Sequence, residues 1–152
     1  MPLLSGKCFT TRDDKNRIII PARMRKATGP QGHEGYYVTR GIDECIVVQT
    51  VARFEDVSAA SADTRVRQTE AGRRLEREIY SNAEFAKCDR QGRLLLPAAL
   101  LEDLGIGKEV VIAGVNDRIE VWDRVKWEED RKKSKPDIGK NAEKVFDRPG
   151  QA

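Results

Sequence analysis

Two short segments of the chain carry three consecutive aliphatic residues where a half-buried strand would alternate apolar with polar residues. They read RIIIP at residues 17–21 and RLLLP at residues 93–97. A continuous apolar run of this kind predicts a strand that is covered on both faces. One small unit cannot easily cover both faces of such a strand. We therefore expect two units that pack together or exchange strands, so that each half completes the core of the other.

The surroundings of the two segments repeat, which indicates a duplicated unit. Asp13 and Asp89 stand 76 residues apart, and each is followed four residues later by an arginine. A later match aligns Ile46 with Ile119 at an offset of 73 residues. The two offsets place a length change of three residues between these landmarks. The segment GPQGHEG at residues 29–35 is rich in turn residues and is the natural loop for that change.

Each half shows the same order of predicted elements, namely a strand, a short helix, two strands and a longer helix. Proline fits the first turn of the short helix, because the N–H that it lacks would have no partner there. Gly29 and Gly105 are placed to end the short helices, and Asn116 with Asp117 predicts a hairpin turn. The short helices are expected at residues 21–29 and 97–105, the strand pairs at 36–40 with 45–49 and 109–114 with 118–122, and the longer helices after the N-caps Thr50 and Asp123.

One amphipathic helix is predicted between the halves, within residues 61–83. Asp63 is its candidate N-cap, and apolar residues then recur at a spacing of four. Its many charged side chains have two interpretations. They form a solvated face, or Arg65, Arg67 and Arg73 face a nucleic acid.

The segment after Trp127 changes to a polar composition with mixed charges. We expect it to begin as the end of a helix and to break at Pro136 and Pro149, because proline interrupts a helix interior. The sequence therefore predicts a mobile polar tail.

Composition narrows the classes of function. The 152 residues include 28 basic and 25 acidic side chains, so the net charge of +3 permits a nucleic-acid partner without requiring one. Three scattered cysteines without a CxxC pair predict reduced thiols rather than a disulfide framework or a zinc site. The single histidine, His33, lies in the turn-rich loop without a catalytic motif around it, so we predict no enzyme. The sequence contains no run of about 20 apolar residues, the length that predicts a membrane span.

The chain resembles the MraZ family over roughly residues 4–127. The resemblance is carried by Gly6, seven residues before Asp13, and by the segments DKNRIIIPARMR, DECIVV, CDRQGRLLLPAALL and RIEVWDRVKW. A single DxxxR pattern arises often by chance, whereas two copies with the same flanks are specific. Asn16 stands where family members usually have glycine. Asparagine tolerates positive φ, so the turn is expected to survive.

The resemblance implies an α+β fold in which two pseudo-symmetric AbrB-like modules, each β-rich with a short helix, pack as one double module. Longer helical elements lie between and after the modules. The expected organisation is module 1 at residues 4–54, a helical connector at 55–83, module 2 at 84–127, and a helix end with a polar tail at 128–152.

The resemblance also implies a function, which is sequence-specific DNA binding by a transcriptional regulator that contacts short direct repeats in promoter DNA. It implies a ring-shaped homo-oligomer in the cytoplasm, associated with the nucleoid, with no cofactor, small-molecule substrate or membrane partner. The alternative is an AbrB-like protein-interaction module of the antitoxin type, without specific DNA readout.

The doubled DxxxR motif provides the candidate site. An aspartate can accept backbone N–H groups and hold a turn in shape. The arginine at the start of the strand offers a planar fork that matches a phosphate or the O6/N7 edge of guanine. The predicted DNA-binding residues are Lys7, Arg12, Lys15, Arg17, Lys87, Arg90 and Arg93, with Asp13 and Asp89 in a structural role.

The same motif has a purely structural interpretation, in which each aspartate simply pairs with its arginine and pins the strand. Arg23 and Arg25 are left out of the predicted set, because Ala99 and Leu101 stand at their places in the second copy. The first module is the more basic of the two, and we expect it to hold DNA more tightly.

Overall fold

The computed structural model describes residues 3–62 and 64–146. Those residues form eight strands and six helices, in an order that repeats once along the chain. The first half contains β1 (Lys7–Thr11), β2 (Arg17–Ile19), α1 (Ala22–Glu34), β3 (Tyr36–Arg40), β4 (Ile46–Thr50) and α2 (Val51–Ala60). The connector contains α3 (Thr64–Gln68) and α4 (Glu70–Ser81). The second half contains β5 (Glu84–Ala86), β6 (Arg93–Leu95), α5 (Ala98–Asp103), β7 (Glu109–Val115), β8 (Arg118–Asp123) and α6 (Arg124–Phe146).

The strands of the two halves are interleaved. Six of them form one antiparallel sheet in the order β1-β7-β8-β4-β3-β5, and β2 pairs with β6 in a separate two-stranded ribbon. The first strand of each half therefore pairs with the third strand of the other half. β1 pairs with β7, with Lys7 opposite Ala113, and β5 pairs with β3, with Ala86 opposite Tyr36. Of the two predicted arrangements, packing together or exchanging strands, the structure shows the exchange, and the prediction of one α+β double module is confirmed.

The two aliphatic triplets are each buried on one face only. Ile18 and Ile20 are at most 1% exposed, and so are Leu94 and Leu96 at the equivalent positions. The middle residues differ, because Ile19 is 54% and Leu95 is 55% exposed. The prediction that both faces of these strands are covered is therefore wrong. The ribbon lies over the core with one face, and its strands alternate in burial although they do not alternate in polarity.

The core joins residues of both halves. Side chains from the ribbon, such as Ile18 and Leu94, belong to the same buried cluster as Val48 of β4 and Ile119 of β8. An ion pair also crosses between the halves, since the guanidinium of Arg53 on α2 contacts Asp117 Oδ2 through Nε at 2.8 Å and through Nη2 at 2.6 Å. The pair fixes α2 to the β7–β8 hairpin turn that Asn116 and Asp117 form as predicted.

The helix caps follow the sequence in part. Thr50 caps α2 by accepting a hydrogen bond from the N–H of Arg53 at 3.2 Å, and Gly105 after α5 has a φ of +61°. Gly29 has a φ of +58° and ends the first helical segment of α1. The helix then resumes at Pro30, so the predicted loop at residues 29–35 is largely one further helical turn. Proline suits that place, because the first residues of a helix need no N–H partner within it.

The connector is divided into two helices, α3 and α4, whereas the sequence predicts one. The division falls at Thr69, whose Oγ1 accepts a hydrogen bond from the N–H of Gly72 at 2.9 Å and so caps α4. Asp63, the predicted N-cap, lies outside the described residues. Threonine is a favoured N-cap residue, so Thr69 starts a new helix, α4, inside the segment and α3 ends before it.

The last helix is longer than predicted. α6 runs without a break through Pro136 to Phe146, so the expectation of a helix broken at Pro136 is wrong, and Pro149 lies outside the described residues. The side chains around Pro136 are exposed. The carbonyl that the proline leaves without an N–H partner can therefore be hydrated. The predicted boundaries at residues 54, 83 and 127 stay a prediction.

Candidate nucleic-acid interface

The two DxxxR motifs form two nearly identical turns. Asp13 Oδ1 accepts hydrogen bonds from the backbone N–H groups of Lys15 and Arg17, both at 2.9 Å, and its Oδ2 accepts one from Arg17 Nε at 2.8 Å. We call residues 13–17 turn 1. Turn 2, residues 89–93, repeats the arrangement, with Asp89 accepting from two backbone N–H groups at 2.9 Å and from Arg93 Nε at 2.6 Å. Each aspartate therefore holds the backbone of its turn with one carboxylate oxygen and orients its arginine with the other.

The backbone of both turns requires a left-handed residue at the fourth position. Asn16 has a φ of +62° and Gly92 has a φ of +79°. Asparagine and glycine are the residues that adopt this region at least cost. The prediction that Asn16 preserves the turn is confirmed, and its side chain gains a role, because Asn16 Oδ1 accepts a hydrogen bond from Arg12 Nη1 at 2.7 Å.

The electrostatics of the turns favour the ionised aspartates. The backbone N–H of Arg17 is the largest cause that lowers the pKa of Asp13, and the guanidinium of the same residue lowers it further. The N–H and guanidinium of Arg93 lower the pKa of Asp89 in the same way. Both carboxylates therefore stay charged at neutral pH, and each turn keeps its ion pair.

The ribbon brings the two turns into one surface. Arg17 lies opposite Leu95 and Ile19 lies opposite Arg93 in the β2–β6 register. The ladder extends at both ends, because the N–H of Ile20 donates to the carbonyl of Gly92 at 2.9 Å and that of Leu96 donates to the carbonyl of Asn16 at 2.8 Å. Turn 1 thus lies at one end of the ribbon and turn 2 at the other.

The outer face of the ribbon is the surface that we call the reading face. Side chains two residues apart on a strand point to the same side, and the inward positions of both strands are buried. The reading face consists of Arg17, Ile19, Arg93 and Leu95. The guanidinium groups hydrogen-bond through Nε, and the Nη groups of both arginines make no hydrogen bond within residues 3–62 and 64–146.

The other predicted site residues lie in three settings. Lys15 and Arg90 are exposed within the turns, and Lys7 and Lys87 are exposed on β1 and just after β5. Arg12 is different, because its guanidinium donates three hydrogen bonds. They go to Asn16 Oδ1 at 2.7 Å, to the carbonyl of Gly107 at 3.2 Å and to that of Ile106 at 3.4 Å. Arg12 therefore braces turn 1 against the loop after α5.

Two arginines outside the predicted set, Arg23 and Arg25, also lie at the ribbon and its neighbouring strand. Arg25 Nε donates to the carbonyl of Ile20 at 3.0 Å, and a Cβ built on Gly92 would meet Arg25 Cζ at 2.7 Å, so this guanidinium lies over turn 2. Arg23 Nη2 donates to the carbonyl of Lys7 at 3.3 Å. No sequence signal predicts the first contact, because Arg25 belongs to the first half and reaches the turn of the second only through the strand exchange.

Metal ligands, apolar helices and thiols are the remaining candidate features of the described residues. Among the described residues no group of three His, Cys, Asp or Glu side chains could hold a metal ion, and none of their helices combines the length and apolar character that crossing a bilayer requires. The cysteines are free thiols. Burial raises the pKa of the Cys45 thiol to about 12, so this thiol stays protonated and unreactive.

Comparison with known proteins places these features in a family. The family model described as "MraZ protein, putative antitoxin-like" matches residues 3–77 and 79–148. A protein of Moorella thermoacetica named "Transcriptional regulator MraZ" is 34% identical over 145 residues, which cover 95% of this chain and 98% of the relative. Relatives with the same name are 40% identical in Symbiobacterium thermophilum, over 77% of this chain and 81% of the relative, and 37% identical in Finegoldia magna, over 80% and 81%.

Proposed function

The chain belongs to the MraZ family, and we propose that it is a sequence-specific DNA-binding regulator of transcription that contacts short promoter repeats with its reading face. The relatives named above are transcriptional regulators by name, and not enzymes. The observation that carries the proposal is the pair of turns at the two ends of one ribbon, in each of which an aspartate orients a partly exposed arginine.

The ion pairs and a DNA contact are compatible. Asp13 holds Arg17 through Nε, and Asp89 holds Arg93 in the same way. The two Nη groups at the end of each guanidinium remain to donate to guanine O6 and N7 or to a phosphate. Fixing the side chain in advance reduces the entropy that binding would otherwise cost. The structural and the DNA-binding roles of the motif can therefore coexist in one arginine, because the aspartate contacts Nε and the DNA would contact the Nη groups.

The surrounding basic residues fit the role of phosphate contacts. We propose that Lys15 and Arg90 in the turns, and Lys7 and Lys87 beside them in sequence, place the ribbon on the duplex without reading bases. Arg12 remains in the proposed interface as a positioning residue, because its hydrogen bonds already hold turn 1. We propose that the chain is organised as modules at residues 4–54 and 84–127, joined by the connector at 55–83 and followed by the segment at 128–152.

Assembly would multiply this interface. We propose a ring-shaped homo-oligomer, located in the cytoplasm and associated with the nucleoid, whose subunits contact successive repeats. Exposed apolar residues on α6 support self-association, since Ile138 is 75%, Val145 is 70% and Phe146 is 78% exposed. Linked weak contacts then gain affinity through effective concentration. Sedimentation velocity across a range of protein concentrations tests this assembly.

The proposed function is tested by selection and by salt dependence. Duplexes are selected from a random pool with the full chain, and affinity for the selected duplex is compared with that for a scrambled one. For the selected duplex, log K should fall against log salt with a slope of about −0.9 for each phosphate contact. Equal affinity for the selected and scrambled duplexes would contradict sequence-specific recognition.

Arginine variants test the proposed roles in the reading face. Arg17→Lys and Arg93→Lys keep the charge but lose the planar fork, so each should weaken binding to the selected duplex about tenfold while leaving the salt slope unchanged. Arg74→Lys is the matched control, because Arg74 lies on α4 in an exposed pair with Glu70. Lys15→Ala and Arg90→Ala should instead reduce the salt slope and weaken both duplexes alike.

A protein-interaction module of the antitoxin type is the second candidate. An open cleft of about 1170 Å³ favours it, because its lining includes Phe54, Val57, Leu75 and Ile79 from α2 and α4. A partner that stays bound after nuclease treatment, together with the absence of any selected duplex, would favour this candidate over DNA readout.

A further inference from the structure

The reading face contains two aliphatic side chains whose exposure the fold does not explain. Ile19 and Leu95 are each more than half exposed, whereas the residues on both sides of them in each triplet are at most 1% exposed. Packing within the chain therefore needs an aliphatic residue at the flanking positions and not at 19 or 95. A polar side chain there would restore the alternation that is usual in a strand with one face in water.

The register places each aliphatic residue beside an arginine. Leu95 lies directly opposite Arg17, and Ile19 lies directly opposite Arg93. Residues opposite each other in an antiparallel pair have Cβ atoms about 4.5–5.5 Å apart. The face therefore presents a guanidinium and a branched aliphatic group side by side, twice, between the two Asp-pinned turns.

A two-stranded ribbon is an element that one groove of DNA can accommodate. The major groove of B-DNA admits a two-stranded β-ribbon, and the minor groove is only about half as wide. If Arg17 or Arg93 contacts a guanine there, the neighbouring aliphatic side chain faces the edge of an adjacent base pair. The apolar group that such an edge can offer is the C5 methyl of thymine.

We propose that Ile19 and Leu95 are specificity-determining residues that contact thymine methyl groups next to the bases read by Arg93 and Arg17. This inference rests on the proposed DNA-binding function and deepens it. It predicts that the selected duplex contains thymine beside guanine, and that the methyl group itself contributes to the affinity.

Replacing thymidine by deoxyuridine tests the inference, because deoxyuridine keeps the base pair and its hydrogen-bonding edge and removes only the methyl group. The probe is the duplex selected by the full chain, with single thymidines replaced in turn. The full-length wild-type protein should lose about fourfold in affinity for each contacted methyl group, the factor that corresponds to burying one methyl-sized group.

Variants of the protein complete a double-mutant cycle. Ile19→Ala and Leu95→Ala should weaken binding to the thymidine duplex and should no longer respond to deoxyuridine at the same positions. Val125→Ala is the matched control, because Val125 is an exposed aliphatic residue (62%) on α6, outside the ribbon. This control should keep the full response to deoxyuridine.

The outcomes separate the inference from the proposed function. If the wild type selects a duplex but no deoxyuridine substitution weakens binding, the inference is overturned and DNA recognition stands. If no duplex is selected, the proposed function itself fails. If Ile19→Ala and Leu95→Ala change the sedimentation of the protein while the deoxyuridine response persists, the two residues are subunit contacts and the inference is overturned. The wild-type measurement does not depend on the folding of any variant.

Discussion

At the scale of the residue, the lowered pKa of the aspartate in each DxxxR motif depends more on backbone N–H groups than on the arginine side chain. The backbone N–H of Arg17 is the largest cause of the lowered pKa of Asp13, ahead of the guanidinium of the same residue. The same order holds for Asp89 and Arg93. The conformation of the turn therefore contributes to keeping the carboxylate charged even without the ion pair.

The larger effect of the backbone N–H on the pKa leads to a prediction that differs from that for a simple ion pair. Arg17→Ala removes the guanidinium but keeps the backbone N–H, so the pKa of Asp13 should rise and yet stay below its ordinary value of 3.8. Arg93→Ala should do the same for Asp89, while leaving Asp13 unchanged as an internal control. Carboxyl carbon chemical shifts followed by NMR across an acid titration give both values. A full return to 3.8 in the variants would show that the guanidinium alone sets the shift.

The sign of the pH dependence follows from the same shifts. Because folding lowers the pKa of both carboxyls, their interactions stabilise the folded chain fully above the ordinary aspartate value of 3.8. This contribution is lost as the pH falls from there through the lowered folded values. Amide exchange of Arg17 and Arg93 at neutral and acid pH should show the turns opening in that acid range and not above it.

At the scale of the element, the two turns solve one backbone problem with different residues. Gly92 and Asn16 both have positive φ, but only Asn16 brings a side chain, which accepts a hydrogen bond from Arg12. A Cβ at position 92 would meet the guanidinium of Arg25, which is the mobile end of a long side chain and can move away. The main cost of a side chain at 92 is therefore the left-handed backbone and not the contact.

Substitutions at position 92 separate these two costs. Gly92→Ala should lower the free energy of unfolding by about 1–2 kcal/mol, because alanine disfavours the left-handed region. Gly92→Asn should lower it less, since asparagine tolerates that region although it displaces Arg25 to the same extent. Urea unfolding of both variants beside the wild type measures the difference. Equal losses in the two variants would indicate that displacement of Arg25 is the dominant cost.

Much of the element order could be predicted from the sequence, because it depends on local signals. The hairpin at Asn116 and Asp117, the cap at Thr50 and the positive φ at Gly105 all appear where turn and cap chemistry placed them. Local signals were less reliable where two choices were close in energy. Pro30 could begin a helical turn as well as end a loop, and Thr69 could cap a new helix within a continuous amphipathic pattern.

At the scale of the whole molecule, the sequence predicts that two units share a core, but it does not decide between packing and exchange of strands. The apolar triplets correctly indicated that two units share a core, yet the exposure of Ile19 and Leu95 depends on how much of the ribbon that core covers. The contact of Arg25 with turn 2 depends likewise on the exchange. These features are set by pairing across some 75 residues of sequence, beyond the reach of the local patterns that predict helices and turns.

The interleaved topology also predicts how the molecule folds. Six strand pairings occur within residues 3–62 and 64–146. Four of them, β1 with β7, β2 with β6, β3 with β5 and β4 with β8, join the two halves, and the other two are the hairpins β3–β4 and β7–β8. An isolated two-stranded hairpin is marginally stable at best. Neither half should therefore fold alone as a monomer, and the intact chain should unfold in a single transition.

A protease site inserted between Ser61 and Ala62, in the connector, tests this dependence with one protein. After cleavage the two fragments should stay associated with an unchanged far-UV circular dichroism spectrum, because their strands remain paired. The midpoint of thermal unfolding should then depend on protein concentration, whereas that of the uncleaved chain should depend on it less, since its two halves are covalently joined. Each fragment purified alone should lack sheet structure at low concentration. Because the two halves are alike, a fragment can pair with a copy of itself, so any structure that it regains should increase with concentration. A fragment that unfolds cooperatively at a midpoint independent of its concentration would show that its module is complete by itself.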